Sequence, residues 1–524
     1  MSWGMAPLRN RVFRNLFIAQ MVSNIGLWMQ TVGAQWFLVD AHAGPTVISL
    51  VQTASLIPTV LLSLLAGVLA DILDRKWLLV VMSAYATVVA AVMAVLAWAD
   101  LLDPVTLLIL TFLLGAGSAL AAPAFQAVNP DLVPREQIAD AASLGSMSIN
   151  VARAVGPALA GVLFSVGGAG VVFAINALSY VAVVAALLTW RRPAATAQLE
   201  PEHLGTSLVV GVRYVIAAPI VRRILVRSGL FAFPASALWA LLPVVVSDSF
   251  GWGSTGYGIV LGVLGAGAII GVFALPWMRD HLPPNVILAS SAVVFAGGTL
   301  AAAVAPAIVA VIVFIPTGIA WIATLSTLNA EMQLTLPTWV RARGMAAYLL
   351  VFMGSQGVGS LVWGAVGGAL SVRWALIIAA VGLVVTAVSV VALPIHAETG
   401  TLDRTVSAAW PEPTLIFEPA PDDGPVQVSA FYRVAADHHD EFMNRMAAVA
   451  KARRRTGARN WHLFRDGADA DAFVEQFVVG SWSEYQRQRI DRWTEYDHQR
   501  VADALALTED GRSRQEHLFC VPVG

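Results

Sequence analysis

The sequence predicts an all-α polytopic membrane fold of 12 transmembrane helices in two six-helix repeats, with a C-terminal α+β, ferredoxin-like cytoplasmic domain. Three observations carry this. The 524-residue chain is 57% hydrophobic and 13% charged, far too little charge to cover a soluble protein of that length. Its first 397 residues are a succession of long stretches free of Asp, Glu, Lys and Arg, and landmark residues in them recur at an offset of 203 or 204. After about residue 400 the composition becomes that of a polar, mixed α/β chain.

A helix that crosses a ~30 Å hydrocarbon core needs ~20 apolar residues. The charge-free stretches are 15–39, 41–70, 77–99, 104–130, 154–190, 228–247, 249–278, 282–330, 344–372 and 374–397. Two hold more than one helix: 154–190, broken by Gly167-Gly168 and continuing an apolar segment from near Ala141, and 282–330, broken near Pro306. Splitting both gives 12 spans. With both termini cytoplasmic, Arg9, Arg11, Arg14, Arg75, Lys76, Arg135, Arg191, Arg192, Arg213, Arg222, Arg223, Arg227, Arg279, Arg341 and Arg343 fall inside or at the inner edge. Arg373 alone of the first 400 residues falls outside, and Arg153 lies within a span; the opposite orientation reverses the positive-inside bias. Trp77, Trp98, Trp190, Trp252, Trp277, Trp339 and Trp374 sit near span ends, where an amphipathic ring prefers to lie. No removable signal peptide is expected, and the expected location is the plasma or inner membrane. The net charge of −2 indicates no nucleic-acid partner, and the single cysteine, Cys520, rules out an intrachain disulfide.

Gly67 and Arg75 recur 204 residues later as Gly271 and Arg279, while Pro134, Gly156 and Gly161 recur 203 residues later as Pro337, Gly359 and Gly364. This divides the chain into an N-terminal bundle (1–190), a cytoplasmic linker (191–221), a C-terminal bundle (222–397), a second linker (398–425) and a soluble domain (426–524). A duplicated bundle of this kind places its substrate site between the halves, near the midplane.

GVLADILDRK at 67–76 resembles the signature connector of the Major Facilitator Superfamily, G-x-L-x-D-x-x-G-R-K, at Gly67, Leu69, Asp71, Arg75 and Lys76. Asp74 stands where the superfamily usually has Gly, as it often does in the transmembrane secretion effector branch, the enterobactin-exporter-like group. PLRNRVFRNLFIAQMVSNIG at 7–26, DLVPREQIADAASL at 131–144 and VARAVGPALAG at 151–161 are similar to that branch too. The resemblance implies the superfamily's fold and a secondary transporter working by alternating access, with a substrate such as a siderophore, antibiotic or drug. It also implies gating roles. Gly67 would let two helices approach closely. Asp71 would sit by the N-terminus of the eleventh span near Gly344 and Arg343, where a helix dipole and a cation favour a carboxylate. Arg75 and Lys76 would hold the connector inside, or serve only as ordinary positive-inside charges. In the second copy, GVFALPWMRD at 271–280, Leu275 replaces the acid, so only one half would carry the latch.

Arg153 lies roughly halfway along the fifth span, where a charge costs ~2.5–3.5 kcal/mol on insertion scales. It faces either a cavity and an anionic substrate group, or a structural partner. Gly156-Pro157 resembles the exporter-associated Gly-Pro motif, although Gly145 departs in spacing from that motif's first glycine. The other substrate-binding candidates are Gln20, Asn24 and Gln30 in the first span, with Gln35 beyond them, Asn150 in the fifth and Gln356 in the eleventh. Any one of these taken alone is an ordinary interhelical hydrogen bonder. No Gly-rich nucleotide loop is present, so the drive is expected from a gradient, of protons by preference. Leu27 stands where related sequences often have Asp, which leaves Asp40 and Glu331 as candidate proton carriers. No metal-ligand spacing, cofactor motif or catalytic constellation stands out.

In the tail, VQVSAFYRV at 426–434 alternates like a strand, and HHDEFMNRMAAVAKARRR at 438–455 has helical spacing. RNWHLFRDG and FVEQFVVGSW read as paired strands, 483–507 as one amphipathic helix and HLFCVP as a last strand. That βαββαβ order suggests a ferredoxin-like unit. It resembles the cytoplasmic tail of the same branch and, more loosely, the dimeric α/β-barrel monooxygenases. The readings are a homodimerisation or regulatory module, a small-molecule or haem-binding enzyme using Asn460, Trp461 and His462, or a domain without assigned role. Trp461 and Trp482 read as core. Lys451, Arg453, Arg454 and Arg455 read as a solvated helix end, or as a contact to anionic lipid. Together these features point to an exporter of a small organic molecule whose partners are its substrate, a proton gradient and the bilayer. The alternatives are an importer of a small nutrient and a membrane-tethered enzyme.

Overall fold

The computed structural model describes residues 5–190, 214, 218–337, 340–395, 415, 417, 419–490, 492–509 and 513–521, without the side chains at 64, 68, 71, 72, 127, 129–131, 135, 139 and 342. The expected linkers therefore lie largely outside the described residues. The chain divides into two compact units, Met1–Leu199 with Leu225–Leu328 and Leu349–Pro394, and Glu200–Ile224 with Asn329–Tyr348 and Ile395–Gly524.

The chain before the tail forms long apolar helices, α1 (Arg11–Asp40), α2 (Pro45–Ile72), α3 (Arg75–Trp98), α4 (Pro104–Asp131), α5 (Ile138–Thr189), α6 (Pro219–Val244), α7 (Ser254–His281), α8 (Pro284–Val304), α9 (Ala307–Thr335), α10 (Arg341–Ala369) and α11 (Val372–Val388); all lie in the first unit except the start of α6, the end of α9 and the start of α10. Among the described residues, nine helices are long and apolar enough to cross a membrane. α5 has 52 residues, about 78 Å at 1.5 Å per residue, and breaks at Gly168, whose φ of 69° favours a residue without Cβ. The Gly167-Gly168 break read from sequence is thus a real turn, with a limb on either side.

Helix starts follow local chemistry. Asn10 accepts from the Val12 amide ahead of α1, and Asp74 accepts from the Trp77 amide ahead of α3. Asp74 is therefore a helix cap, which is why an acid serves at a position where other connectors carry Gly. Lys76 donates to the Trp190 carbonyl at 2.5 Å, tying the start of α3 to the end of α5.

The repeat is visible as helix crossings made twice. A Cβ on Gly156 would meet the Ile25 carbonyl of α1 at 3.0 Å, and one on Gly359 the Phe233 carbonyl of α6 at 2.6 Å. Gly161 lies against the Ser254 carbonyl of α7, and Gly364 against Ser49 of α2. Small residues allow these backbones to approach. Gly67 departs from expectation: among the described residues, a Cβ there would meet nothing within 4 Å. Its counterpart Gly271 makes a close contact, since a Cβ there would stand only 3.1 Å from the Ile319 Cα of α9.

The second unit holds a four-stranded antiparallel sheet of order β2-β3-β1-β4: β1 (Val426–Arg433), β2 (Arg459–Arg465), β3 (Ala472–Val479) and β4 (Arg514–Phe519). With it come α12 (His439–Thr456), α13 (Trp482–Ile490) and α14 (Glu495–Leu505). Val428, Ala430, Tyr432, Phe473 and Phe477 supply the buried face of β1 and β3, and Phe442, Met446 and Val449 of α12 are buried with them. Two expectations are corrected here. The single helix over 483–507 is two, because Trp493 is fully buried and Thr494 starts α14 with a capping box to Asp497. Arg453 is not solvated: it is 1% exposed and paired at 3.0 Å with Glu475, which is 0% exposed. Arg455, beside it, pairs with Asp497. In sequence the charges of this helix end read as surface because their partners lie 22 and 42 residues away in the chain.

Candidate substrate site

Arg153 is carried into the bundle by the first limb of α5. Four residues on, Pro157 lacks the amide that would bond the Arg153 carbonyl, which loosens the helix there. Where α5 crosses α7, a Cβ on Gly265 would stand 2.7 Å from the Ala154 Cα, and one on Gly258 2.7 Å from the Pro157 carbonyl oxygen. This tight crossing fixes the depth and direction of Arg153. Its guanidinium carbon stands 5.5 Å from the ring centroid of Trp28 on α1, a cation–π geometry. Its Nε is buried without a hydrogen-bond partner among the described residues.

Arg153 lines a small cavity with Trp28, Pro157, Trp239, Leu261, Leu264, Gly265, Ala268, Gly318 and Trp321. Trp28, Arg153 and Pro157 come from α1 and α5; the rest come from α6, α7 and α9. The space for water centres is about 10 Å³, room for roughly one water molecule. The site is closed in this conformation. An aromatic chain leads away from it: Trp28 to Trp239 at 6.4 Å between centroids, Trp239 to Trp321 at 5.3 Å, and Trp321 to Phe295 at 5.7 Å, Phe352 at 5.8 Å and Phe231 at 5.9 Å. The indole nitrogens of Trp239 and Trp321 are also buried without partners among the described residues. A buried donor left unmade costs about 1–3 kcal/mol, more when charged. No carboxylate lines the cavity among the described residues.

Toward the 41–44 end of the bundle, polar bonds join α1, α2 and α5 to α6, α7 and α10. The Tyr257 hydroxyl donates to Gln35 Oε1 at 2.7 Å, and Gln35 Nε2 donates to the Trp239 carbonyl at 3.4 Å. Tyr257 also stacks on Trp36 at 5.6 Å. Ser254 donates to the Gly161 carbonyl at 3.2 Å, Thr46 to that of Gly364 at 3.0 Å and Thr53 to that of Gly357 at 2.9 Å. These bonds hold that end shut.

Of the residues singled out from sequence, Arg153 and Pro157 line the cavity, and Gly156 packs directly beneath it against Trp28. The others do not line it. Asn24 donates to Ser148 at 3.2 Å, tying α1 to α5, and Asn150 donates to the Ser146 carbonyl of its own helix at 2.9 Å. Gln30 accepts from Asn176 at 3.2 Å and donates to Met93 Sδ at 3.1 Å. Those three amides are engaged in packing among α1, α3 and α5. Gln20 is half-buried, Gln356 is buried, Asp40 is exposed at the end of α1, and Glu331 and Arg343 are half-buried in the second unit. Arg75 is half-buried, and the Asp71 side chain lies outside the described residues. Sequence reasoning missed Trp28, Trp239 and Trp321. Their signal was position, since they fall mid-span, away from the interfaces where tryptophan usually lies. It also placed Arg227 at the inner edge, whereas Arg227 is 3% exposed and donates to Asn285 at 2.8 Å. In the tail, Asn460 and His462 are exposed, while Trp461 donates to the buried Glu475 at 2.8 Å.

The model of the transmembrane secretion effector family matches residues 2–521. The chain belongs to that family. It is 28% identical over 260 residues to the staphyloferrin A transporter of Staphylococcus aureus, a match covering 49% of this chain and 65% of the relative. It is 26% identical over 281 residues to the enterobactin exporter EntS of Escherichia coli, covering 53% of this chain and 66% of that one. The chain thus spans just under two thirds of the length of these curated relatives. Among solved structures, the nucleoside transporter NupG (D323A mutant) superposes with a TM-score of 0.62 at 15% identity, over 73% of this chain and 100% of the other. A bacterial homologue of the iron transporter ferroportin in an inward-facing state gives 0.59 at 15% identity, over 73% and 98%. These structural likenesses establish the fold alone; the family model is what makes the chain a multi-pass Major Facilitator protein.

Proposed function

We propose that this family member is a secondary active transporter that exports a small organic molecule by alternating access. The observation that carries the proposal is Arg153, a half-buried cation whose Nε is buried and unbonded and which has no carboxylate beside it among the described residues, in a cavity shared between α1–α5 and α6–α11. A charge kept at that cost in the middle of a bundle marks a substrate path. In this reading α5 supplies two crossings and the bundle has 12, six on each side of the 191–221 linker, with both termini on the cytoplasmic side of the inner membrane. The two sets rock about the α5–α7 and α2–α10 crossings, whose glycines form matched pairs. The bonds at the 41–44 end are then the outer gate, and the connector that carries Asp71 is the proposed inner latch. The drive is a proton gradient, with Asp40 and Glu331 as the proposed carriers. The siderophore-handling relatives support a siderophore-sized cargo.

The sheet order β2-β3-β1-β4 supports a ferredoxin-like tail, and its helix-free face offers Phe431, Phe464 and Leu518, all exposed, for a homodimer. Arg455 of that tail stands 5.9 Å from the ring of Tyr214, just ahead of α6, which supports a regulatory role.

The test is metabolite profiling of cells and medium, comparing a deletion strain with strains restored by wild type or Arg153→Ala. A compound retained by the deletion strain and released again only by wild type is the expected result. A compound left unconsumed in the medium means uptake and overturns export. The same assay with Asp71→Asn is expected to show less release at unchanged membrane abundance; unchanged release removes the latch.

A further inference from the structure

The cavity between the two helix sets is one-sided in its chemistry. Its polar side-chain atoms are the guanidinium of Arg153 and the indole N–H groups of Trp28, Trp239 and Trp321. Every one of these is a donor, and none can accept a hydrogen bond. Three of them, Arg153 Nε, Trp239 Nε1 and Trp321 Nε1, are buried with no partner among the described residues. They also come from different elements, α5, α6 and α9, so no local helix packing accounts for all three. A ligand that ends this deficit must bring acceptors, and beside a guanidinium the best acceptor is an anionic oxygen. A cationic or donor-rich ligand would leave the same groups unmet and add repulsion from Arg153.

The walls add a second requirement. Trp28 on one set and Trp239 on the other have ring centroids 6.4 Å apart, and Trp321 continues the aromatic surface at 5.3 Å. In the closed cavity there is space for about one water, so a ligand is admitted only as the sets part. A planar ring then meets π faces from both sets, with its acidic edge toward the donors.

We propose that this cavity takes an organic anion carrying an aromatic ring, an aromatic carboxylate or phenolate, with Arg153, Trp239 and Trp321 as its hydrogen-bond donors. The assignment deepens the transport proposal and rests on it for location only. The anion bridges α5 to α6 and α9, so its binding draws the two helix sets together around it.

The test uses the full-length protein in lipid nanodiscs and radiolabelled salicylate as the probe, with salicylamide as the neutral isostere and benzylamine as the cation in competition. Salicylate is expected to bind at least about tenfold more tightly than salicylamide, and benzylamine not to compete. Arg153→Gln is expected to abolish that preference, and Arg153→Lys to retain part of it. Trp239→Phe and Trp321→Phe keep the ring and remove the N–H; each is expected to weaken salicylate about three- to tenfold. Each variant is read only if it elutes as the wild type does and melts no lower than it, and the two tryptophan variants serve as alternates for one another. The proposal is overturned if salicylate shows no saturable binding, if salicylamide binds as well, or if the preference survives Arg153→Gln. Export in the metabolite assay without salicylate preference overturns this assignment alone. Salicylate discrimination without export overturns the transport reading alone.

Discussion

Arg153 holds a charge in the bundle with an aromatic face as its main neighbour, and its Nε is left without a hydrogen bond among the described residues. Such a residue lowers the stability of the empty protein. Arg153→Gln is accordingly expected to raise the thermal stability of the purified protein, by about 1–3 kcal/mol, while removing the proposed function. A fall in melting temperature would mean that Arg153 is a structural residue. The tail shows the opposite arrangement. Glu475 accepts from Arg453 at 3.0 Å, Tyr432 at 2.7 Å and Trp461 at 2.8 Å. Burial alone would raise its carboxyl, but Arg453 and the hydroxyl and indole donors outweigh burial and hold it below the ordinary carboxylate range. Because the folded value is depressed, the stabilisation is present above the unfolded carboxylate value, near pH ~4.3, and is lost as pH falls through the folded one. Breaking the pair with Arg453→Met leaves Glu475 buried without its cation, at a cost of about 3–5 kcal/mol. Hydrogen exchange over residues 426–521 of the full-length protein is expected to show that loss, and unchanged protection would refute it.

At the scale of elements, glycines decide which helices touch. A Cβ on Gly265 would press on the Ala154 backbone where α5 crosses α7, whereas a Cβ on Gly67 would meet nothing among the described residues. Gly265→Ala is therefore expected to destabilise the protein by about 1–3 kcal/mol, as overpacking does. Gly67→Ala is expected to be neutral or to gain up to about 1 kcal/mol, from helix propensity alone. Thermal unfolding in detergent measures both, and equal effects would contradict the crossing geometry. The positions of these glycines are legible as a repeat in the chain. Which of them is a contact is not, since Gly67 and Gly271 look alike in sequence and differ only in what lies opposite.

At the scale of the whole molecule, the proposed gate makes the bonds around Gln35 and Tyr257 set how often the 41–44 end opens. Tyr257→Phe removes the hydroxyl that donates to Gln35 and leaves the ring stacked on Trp36. Losing about 1 kcal/mol there should raise the open population roughly fivefold. Cys520 is the chain's single cysteine, so Cys520→Ser gives a clean background for a reporter cysteine at Thr46. Faster thiol labelling in the Tyr257→Phe protein is the expected outcome, and an unchanged rate would remove this bond from the gate.

The sequence by itself determined that the chain crosses the membrane many times, that it contains a repeat, where α5 must turn, and that Arg153 is a costly charge. These follow from hydrophobic length, constant spacing and the cost of desolvation, all of which are local or periodic properties. It also determined the order of the four strands in the tail and the helix after the first of them, from alternation and helical spacing, but not the division of 483–507 into two helices. Only the tertiary structure decided that Trp28, Trp239 and Trp321 surround Arg153, that Asn24, Gln30 and Asn150 are bonded elsewhere, and that Arg453 is buried against Glu475. Apart from Asn150, whose bond is local to α5, each of those depends on groups brought together from distant parts of the chain, and a polar residue's role is fixed by the partners the fold sets beside it.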